Sequence, residues 1–225
     1  MLKRFVLGTL IALVSSSVLL AGEECKECKK ECAKCTSECQ ECPISKAMAK
    51  LPQLTYLVGS EKTCCPDAAA ALAKKDSQTV KYVVVDKTFD QECDAMLSLA
   101  EQTEQFVAKF AEPCKCEVSG NISVAGITTQ CDVSAGKTSE LVKAAMETVK
   151  VSYLVGDEPC CCANSAKALA EKNNADIVYV VGEEKASCEI KHRINVARAK
   201  YKAAVEASMK AQAEVATTST EKTSS

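Results

Sequence analysis

Tryptophan is absent from the 225 residues, phenylalanine occurs four times and tyrosine five times. A core built without large rings rests on alanine and valine. It buries less apolar area per residue and gains from added staples. Histidine occurs once, at His192 between Lys191 and Arg193, and is expected to be a surface residue and not a ligand. With one histidine and no phosphate-binding loop, the chain offers neither a Ser/His/Asp set nor a nucleotide motif. Its carboxylates are scattered among helical charges and carry no acid–base signal. The expectation is therefore a protein that is not an enzyme, thiol–disulfide exchange aside. An excess of positive charge is missing too, with 28 basic against 30 acidic residues. No basic patch is interleaved with aromatics, so no nucleic-acid partner is expected. The sequence leaves any protein partner and the oligomeric state open.

After residue 20 no run is apolar enough to span a bilayer. The start of the chain has the pattern of a secretory signal. Lys3 and Arg4 are basic, Phe5 to Leu20 is largely apolar, and Ala21 and Gly22 are small. Glu23 and Glu24 follow, where a stop-transfer anchor would carry basic residues. Leu20-Ala21-Gly22 begins like a lipoprotein box, but Glu23 stands where the lipidated cysteine belongs. Residues 1–22 are thus expected to be a cleaved signal peptide, and the mature chain to be exported to a periplasmic or extracellular space.

Cysteine is the residue in excess. All 16 cysteines lie beyond the signal segment, and an exported protein meets conditions in which thiols pair. The first six are Cys25, Cys28, Cys32, Cys35, Cys39 and Cys42, at alternating steps of three and four. That is the spacing of one helical face. The residues between them are helix-forming Glu and Lys, and Pro43 is expected to stop the run. A helix over 23–42 would then carry a sulfur stripe. Such a stripe can serve as a small apolar seam, oxidise to disulfides, or bind Cu(I) or Zn(II). In its spacing it resembles the cysteine-lined helices of bacterial copper-storage proteins.

From residue 54 the chain repeats itself. Leu54–Cys93 and Val151–Cys188 align at a shift of 97, pairing Tyr56 with Tyr153, Gly59 with Gly156 and Tyr82 with Tyr179. Cys64 and Cys65 fall on Cys161 and Cys162, while Cys93 is two residues out of step with Cys188. A shorter unit recurs within this period: a β-branched run, a turn, a cysteine, then a helical run. The runs are Tyr56 to Val58, Lys81 to Val85, Ile122 to Val124, Val151 to Val155 and Ile177 to Val181. The turns carry Gly59, Asp86, Gly126, Gly156 and Gly182. Helical spacing is clearest over Asp90 to Ala111, where Asp90 is the expected N-cap. The stripe there is Cys93, Met96, Leu97, Ala100, Thr103, Val107 and Phe110. In the last helix the stripe is Ile190, Ile194, Ala197, Tyr201, Val205 and Met209.

Each repeat cysteine is thereby placed where a turn hands over to a helix start. Backbone N–H groups and the helix dipole stabilise a thiolate there. Two uses compete. Disulfide staples would join Cys93 to Cys64 or Cys65, Cys188 to one of Cys160, Cys161 and Cys162, and Cys114 or Cys116 to Cys131. A bridge closing about thirty residues is worth about 3 kcal/mol on the chain-entropy model. The other use is metal binding. The Gly59–Leu72 and Gly156–Leu169 loops resemble heavy-metal-associated domains, which implies soft-metal ligation by Cys64, Cys65, Cys161 and Cys162. A third option, a thiol–disulfide oxidoreductase, needs Cys-x-x-Cys at a helix start after a strand, and the repeat lacks that spacing.

The fold class expected is α+β, with tandem strand or hairpin–turn–helix units in two duplicated halves after a cysteine-striped helix. The segments are a signal over 1–22, a cysteine-rich helical stretch over 23–50, repeat halves over 51–150 and 151–213, and a disordered polar tail over 214–225. The expected function is soft-metal binding or thiol buffering in the cell envelope. A disulfide-stapled structural or interaction protein without cofactor is the alternative.

Overall fold

A computed structural model describes residues 42–221 of the chain, with side chains to Ala213. The signal segment, Cys25 to Cys39 of the cysteine ladder and residues 222–225 lie outside the described residues.

The chain folds as α+β, and the repeated unit is a β-hairpin followed by a helix. Five hairpins stand in order: β1 (Leu54–Val58) with β2 (Glu61–Thr63), β3 (Val80–Val84) with β4 (Lys87–Phe89), β6 (Ile122–Val124) with β7 (Ile127–Thr129), β8 (Val151–Val155) with β9 (Glu158–Cys160), and β10 (Ile177–Val181) with β11 (Glu184–Ala186). The helices that follow them are α2 (Pro66–Asp76), α3 (Glu92–Phe110), α4 (Asp132–Glu147), α5 (Ala163–Asn173) and α6 (Glu189–Glu221). A short α1 (Pro43–Met48) precedes the first hairpin, and β5 (Cys114–Lys115) the third.

Every hairpin closes with a two-residue turn. Turns of that length match the strand twist when the first residue has positive φ. Gly59, Gly156 and Gly182 supply it without strain, and Val85 and Ala125 adopt it although they carry a Cβ. Val85 was expected to end a strand; it is a turn residue instead.

Counting from the first turn residue reveals one template. The residue before it is Val58, Val84, Val124, Val155 or Val181, and all five are buried. Three before it stands Tyr56, Tyr82, Ile122, Tyr153 or Tyr179. The residue at the fourth position of each helix is Ala69, Ala95, Ala135 or Ala166, all buried, and His192 in the last unit. The small Cβ lets the helix lie close on the valine of its own hairpin.

Hairpins join in pairs. The first two form a sheet in the order β2-β1-β3-β4, and the last two form β9-β8-β10-β11. In each, the inner strands run antiparallel with tyrosine opposite tyrosine, Tyr56 with Tyr82 and Tyr153 with Tyr179. Each sheet is therefore two hairpins related by a local pseudo-twofold through its tyrosine pair. The third hairpin has no sister. β5 pairs with β6 in the place where a sister strand would lie.

The helices differ in length for legible reasons. α2 and α5 are short, stopping at left-handed caps, Ser77 and Asn174, with Lys74, Lys75 and Lys172 near the last carbonyls. α3, α4 and α6 are long and make the centre. Tyr201 of α6 is buried edge-on between Phe106 and Phe110 of α3, at 5.4 and 4.9 Å. Around it pack Leu51, Val107, Ala197 and Val205. Ser139 of α4 donates 2.6 Å to the Ala111 carbonyl at the end of α3. The Ala125 N–H bonds the Phe110 carbonyl beside it, so orphan carbonyls of α3 are satisfied by the third unit.

Several expectations are corrected. The helix expected to stop at Pro43 lies outside the described residues save for Cys42; Pro43 itself is the first residue of α1, where its missing N–H costs nothing. The N-cap of α3 is Gln91, not Asp90. Its buried face is Ala95, Leu99, Ala100, Thr103 and Val107, leaving Cys93 and Leu97 exposed. The α6 stripe stands through Ile194, Ala197, Tyr201 and Val205, while Met209 is exposed. The α6 backbone continues through Glu221, into the segment expected to be a loose tail. His192 is half-buried, stacked on Tyr179 at 4.6 Å, with its Nδ1 buried and unpartnered. No helix among the described residues is long and apolar enough to cross a membrane.

Candidate thiol sites

The template assigns one place to cysteine. The sixth residue beyond each first turn residue is Cys65, Gln91, Cys131, Cys162 or Cys188, and it immediately precedes the helix. Its backbone carbonyl opens the helical ladder. Cys65 accepts from Ala69 N–H at 3.1 Å, Cys131 from Ala135 at 3.0 Å, Cys162 from Ala166 at 3.1 Å and Cys188 from His192 at 2.9 Å. Cys42 does the same for Lys46 at the start of α1. The out-of-step Cys93 is explained by this register: Gln91 holds the cap of α3, and Cys93 lies one residue inside the helix.

Serine and threonine complete these caps. Thr63 Oγ1 accepts the Cys65 N–H at 3.2 Å, and Thr129 Oγ1 the Cys131 N–H at 3.1 Å, which fixes the approach to the helix. Three residues after the cysteine, a serine reaches back. Cys162 Sγ lies 3.0 Å from Ser165 Oγ. The hydroxyl and N–H of Ser165 hold the Cys162 thiol below its ordinary range, with smaller help from Asn164 N–H and the Cys161 thiol. Ser134, through its N–H and its hydroxyl, and then the Val133 N–H, lower Cys131. In the loop after β5, the Ser119 hydroxyl and N–H and the Val118 N–H lower Cys116. Hydrogen bonds given to sulfur favour its anion. All three thiols are exposed. They share a Cys-x-x-Ser pattern, at 116–119, 131–134 and 162–165; Cys131 and Cys162 stand at helix N-caps and Cys116 before a turn. The sequence reading missed the serines, although the recurrent spacing was there to find.

The remaining sites are placed as follows. Cys64, Cys65, Cys93, Cys114, Cys116, Cys131, Cys160, Cys161, Cys162 and Cys188 carry free thiols, most of them exposed. Among the described residues, no three Cys, His, Asp or Glu side chains converge as a metal-holding group. Cys114 pairs across to Ser123, and Lys115 reaches Asp132, the residue after Cys131, at 4.0 Å. Asn121 links the two arms of this unit: its carbonyl accepts the Cys116 N–H at 2.7 Å, and its Oδ1 accepts Gln130 Nε2 at 3.1 Å. Cys160 ends β9 opposite Tyr153.

Comparison with protein-family models, with curated proteins and with solved structures gave no match for this chain.

Proposed function

We propose that this protein is an exported thiol buffer that presents exposed cysteine thiols of lowered pKa to soft electrophiles, thiophilic metal ions among them. It acts by stoichiometric capture and not as an enzyme. The observation that carries this reading is the recurrence of one Cys-x-x-Ser arrangement, at two helix starts of the repeat and in the loop after β5. Cys116, Cys131 and Cys162 are exposed, and hydrogen bonds centred on a serine three residues on lower the pKa of each thiol. Burial protects an inert structural cysteine, whereas exposure with a lowered pKa is the microenvironment of a reactive one. The ladder from Cys25 to Cys42 supplies further thiols at helical spacing, suited to Cu(I) or Zn(II).

Intact mass tests it. The protein is taken from its own export compartment, natively and after denaturation, with and without reduction, with free thiols counted by alkylation. Free or metal-carrying thiols that include Cys116, Cys131 and Cys162 are expected. A chain with nearly all cysteines joined and no metal mass would sink the proposal in favour of a stapled structural protein.

A further inference from the structure

The duplication shows where α6 departs from its sister helix. At the shift of 97, Ala95, Met96, Leu99 and Thr103 of α3 fall on His192, Arg193, Val196 and Lys200 of α6. In α3 this face packs inward: Ala95, Leu99 and Thr103 are buried. A helix at this place in the repeat therefore packs without charge. In α6 the same face carries two cations and the chain's single histidine, and all four residues are half-buried.

Those four residues line an open cleft of about 400 Å³. Its walls are mostly apolar: Val107 of α3, Met146 of α4, Val151 of β8 and Val196 of α6. The His192 ring, stacked on Tyr179 at 4.6 Å, borders it and is held neutral at neutral pH by its burial. The charged lining is Glu104, Arg193 and Lys200. Arg193 donates Nε and Nη2 to the two Glu104 oxygens at 2.9 and 2.7 Å, which leaves Nη1 as its remaining donor. The Lys200 charge acts on the same carboxylate. Glu101 and Glu189 act on Arg193 from outside the lining. Within the cleft, two cations meet one carboxylate, so one positive charge is in excess beside apolar walls.

We propose that this cleft binds a medium-chain aliphatic monocarboxylate, with its chain along Val107, Met146 and Val196 and its carboxylate on Lys200 and Arg193. Each property of the ligand follows from one of the lining. The volume is that of a small-molecule site at the lower end of the usual range. The apolar walls favour a hydrocarbon body, and burying it supplies the non-directional part of the affinity. The excess cation calls for one anionic head, since a second would meet Glu104. Low-dielectric walls strengthen that attraction over its value in open water. The site is separate from the thiols, because no cysteine lines it.

The single histidine makes the test direct. His192 borders the cleft, so the C–H resonances of its imidazole report occupancy without ambiguity. The full chain is titrated with octanoate, octylammonium and 1-octanol at a fixed pH of 8, above the ordinary imidazole value of 6.5. Octanoate is expected to shift the His192 resonances saturably with one-site stoichiometry, and the other two ligands to need much higher concentrations. In Lys200→Gln, octanoate should bind about tenfold more weakly, the loss of one charged hydrogen-bond donor. Circular dichroism checks that this half-exposed substitution leaves the fold intact; if it does not, the three-ligand comparison on the unaltered chain still decides. The absence of a saturable octanoate shift, an equal response to octylammonium or 1-octanol, or an unchanged affinity in folded Lys200→Gln would each overturn the proposal.

Discussion

Tyr56 stands directly opposite Tyr82 across β1 and β3, their rings edge to face at 5.8 Å, and Tyr153 and Tyr179 repeat the contact at 5.7 Å in the second paired sheet. This pair is the hinge of the local symmetry: each tyrosine belongs to a different hairpin–helix unit, and their contact joins the units. An aromatic pair of this geometry contributes about 1 kcal/mol beyond the area it buries. Tyr82→Ala is expected to destabilise by about 2–3 kcal/mol, since half-buried apolar area goes with it. A double-mutant cycle with Tyr56→Ala should return a coupling of about 1 kcal/mol by urea unfolding. Additive losses would show that the rings merely neighbour each other.

Val85 holds a conformation that three sister turns give to glycine. Its φ is +53°, it is β-branched, and it is 54% exposed. The strain costs on the order of 1–3 kcal/mol, while the extra freedom of glycine in the unfolded chain costs up to about 1. Val85→Gly should therefore stabilise by about 1 kcal/mol, and the mirror change Gly156→Val should destabilise by a similar or larger amount. The urea midpoint reads both; the denaturant slope should not move.

Ser134 and Ser165 are predicted to tune thiol reactivity without serving as nucleophiles. Replacing either with alanine removes the hydroxyl donor to the neighbouring thiol and keeps the N–H. Iodoacetamide alkylation near neutral pH is expected to slow, more at Cys162, where the Ser165 hydroxyl is the leading donor, than at Cys131, where the Ser134 N–H leads and survives the substitution. Ser134→Ala should slow Cys131 and leave Cys162 unchanged, and Ser165→Ala the reverse. The pH–rate profile of the affected thiol should move toward higher pH. An unchanged profile would contradict the serine's role as a donor to sulfur.

His192 gives folding stability a pH dependence of determined sign. Burial against Tyr179 and Tyr153 pushes its imidazole below the ordinary value of 6.5, and Glu189 opposes that only in part. The unfolded chain therefore binds the proton more readily. Stability is full above about 6.5 and declines as pH falls below it toward the folded value. His192→Ala, which restores the residue of the other four units, should flatten that slope. Glu104 acts lower. Its ion pair with Arg193, at 2.9 and 2.7 Å, holds its carboxyl below 4.5, so its contribution is present above that pH and is lost as acid protonates it. Glu104→Gln should cost under about 1 kcal/mol at neutral pH, because both side chains are partly solvated. Unfolding free energies followed from pH 8 down to well below 4.5 separate the two groups.

Much of the fold was written in local chemistry. The β-branched runs, the glycines at Gly59, Gly156 and Gly182 and the 97-residue duplication are short-range signals, and they determined five hairpin–helix units and the handover point where cysteine sits. The α6 stripe was legible for the same reason, since one helix buries one face against a single core. What the sequence did not show depends on residues distant in the chain. The tyrosine pairs follow from an antiparallel register between units, which no single strand encodes. His192 reads as a charged surface position from its neighbours Lys191 and Arg193, and it is half-buried because α6 lies across β10. In α3 the buried face shifted from Leu97 to Leu99 because the core around Val84 and Ile194 decides which of the two leucines faces in. The cysteines divide along the same line. Sequence alone put them at helix starts, through turn chemistry within ten residues. Tertiary structure decided which are half-buried and which stand open to solvent, because exposure depends on what the rest of the chain packs against them.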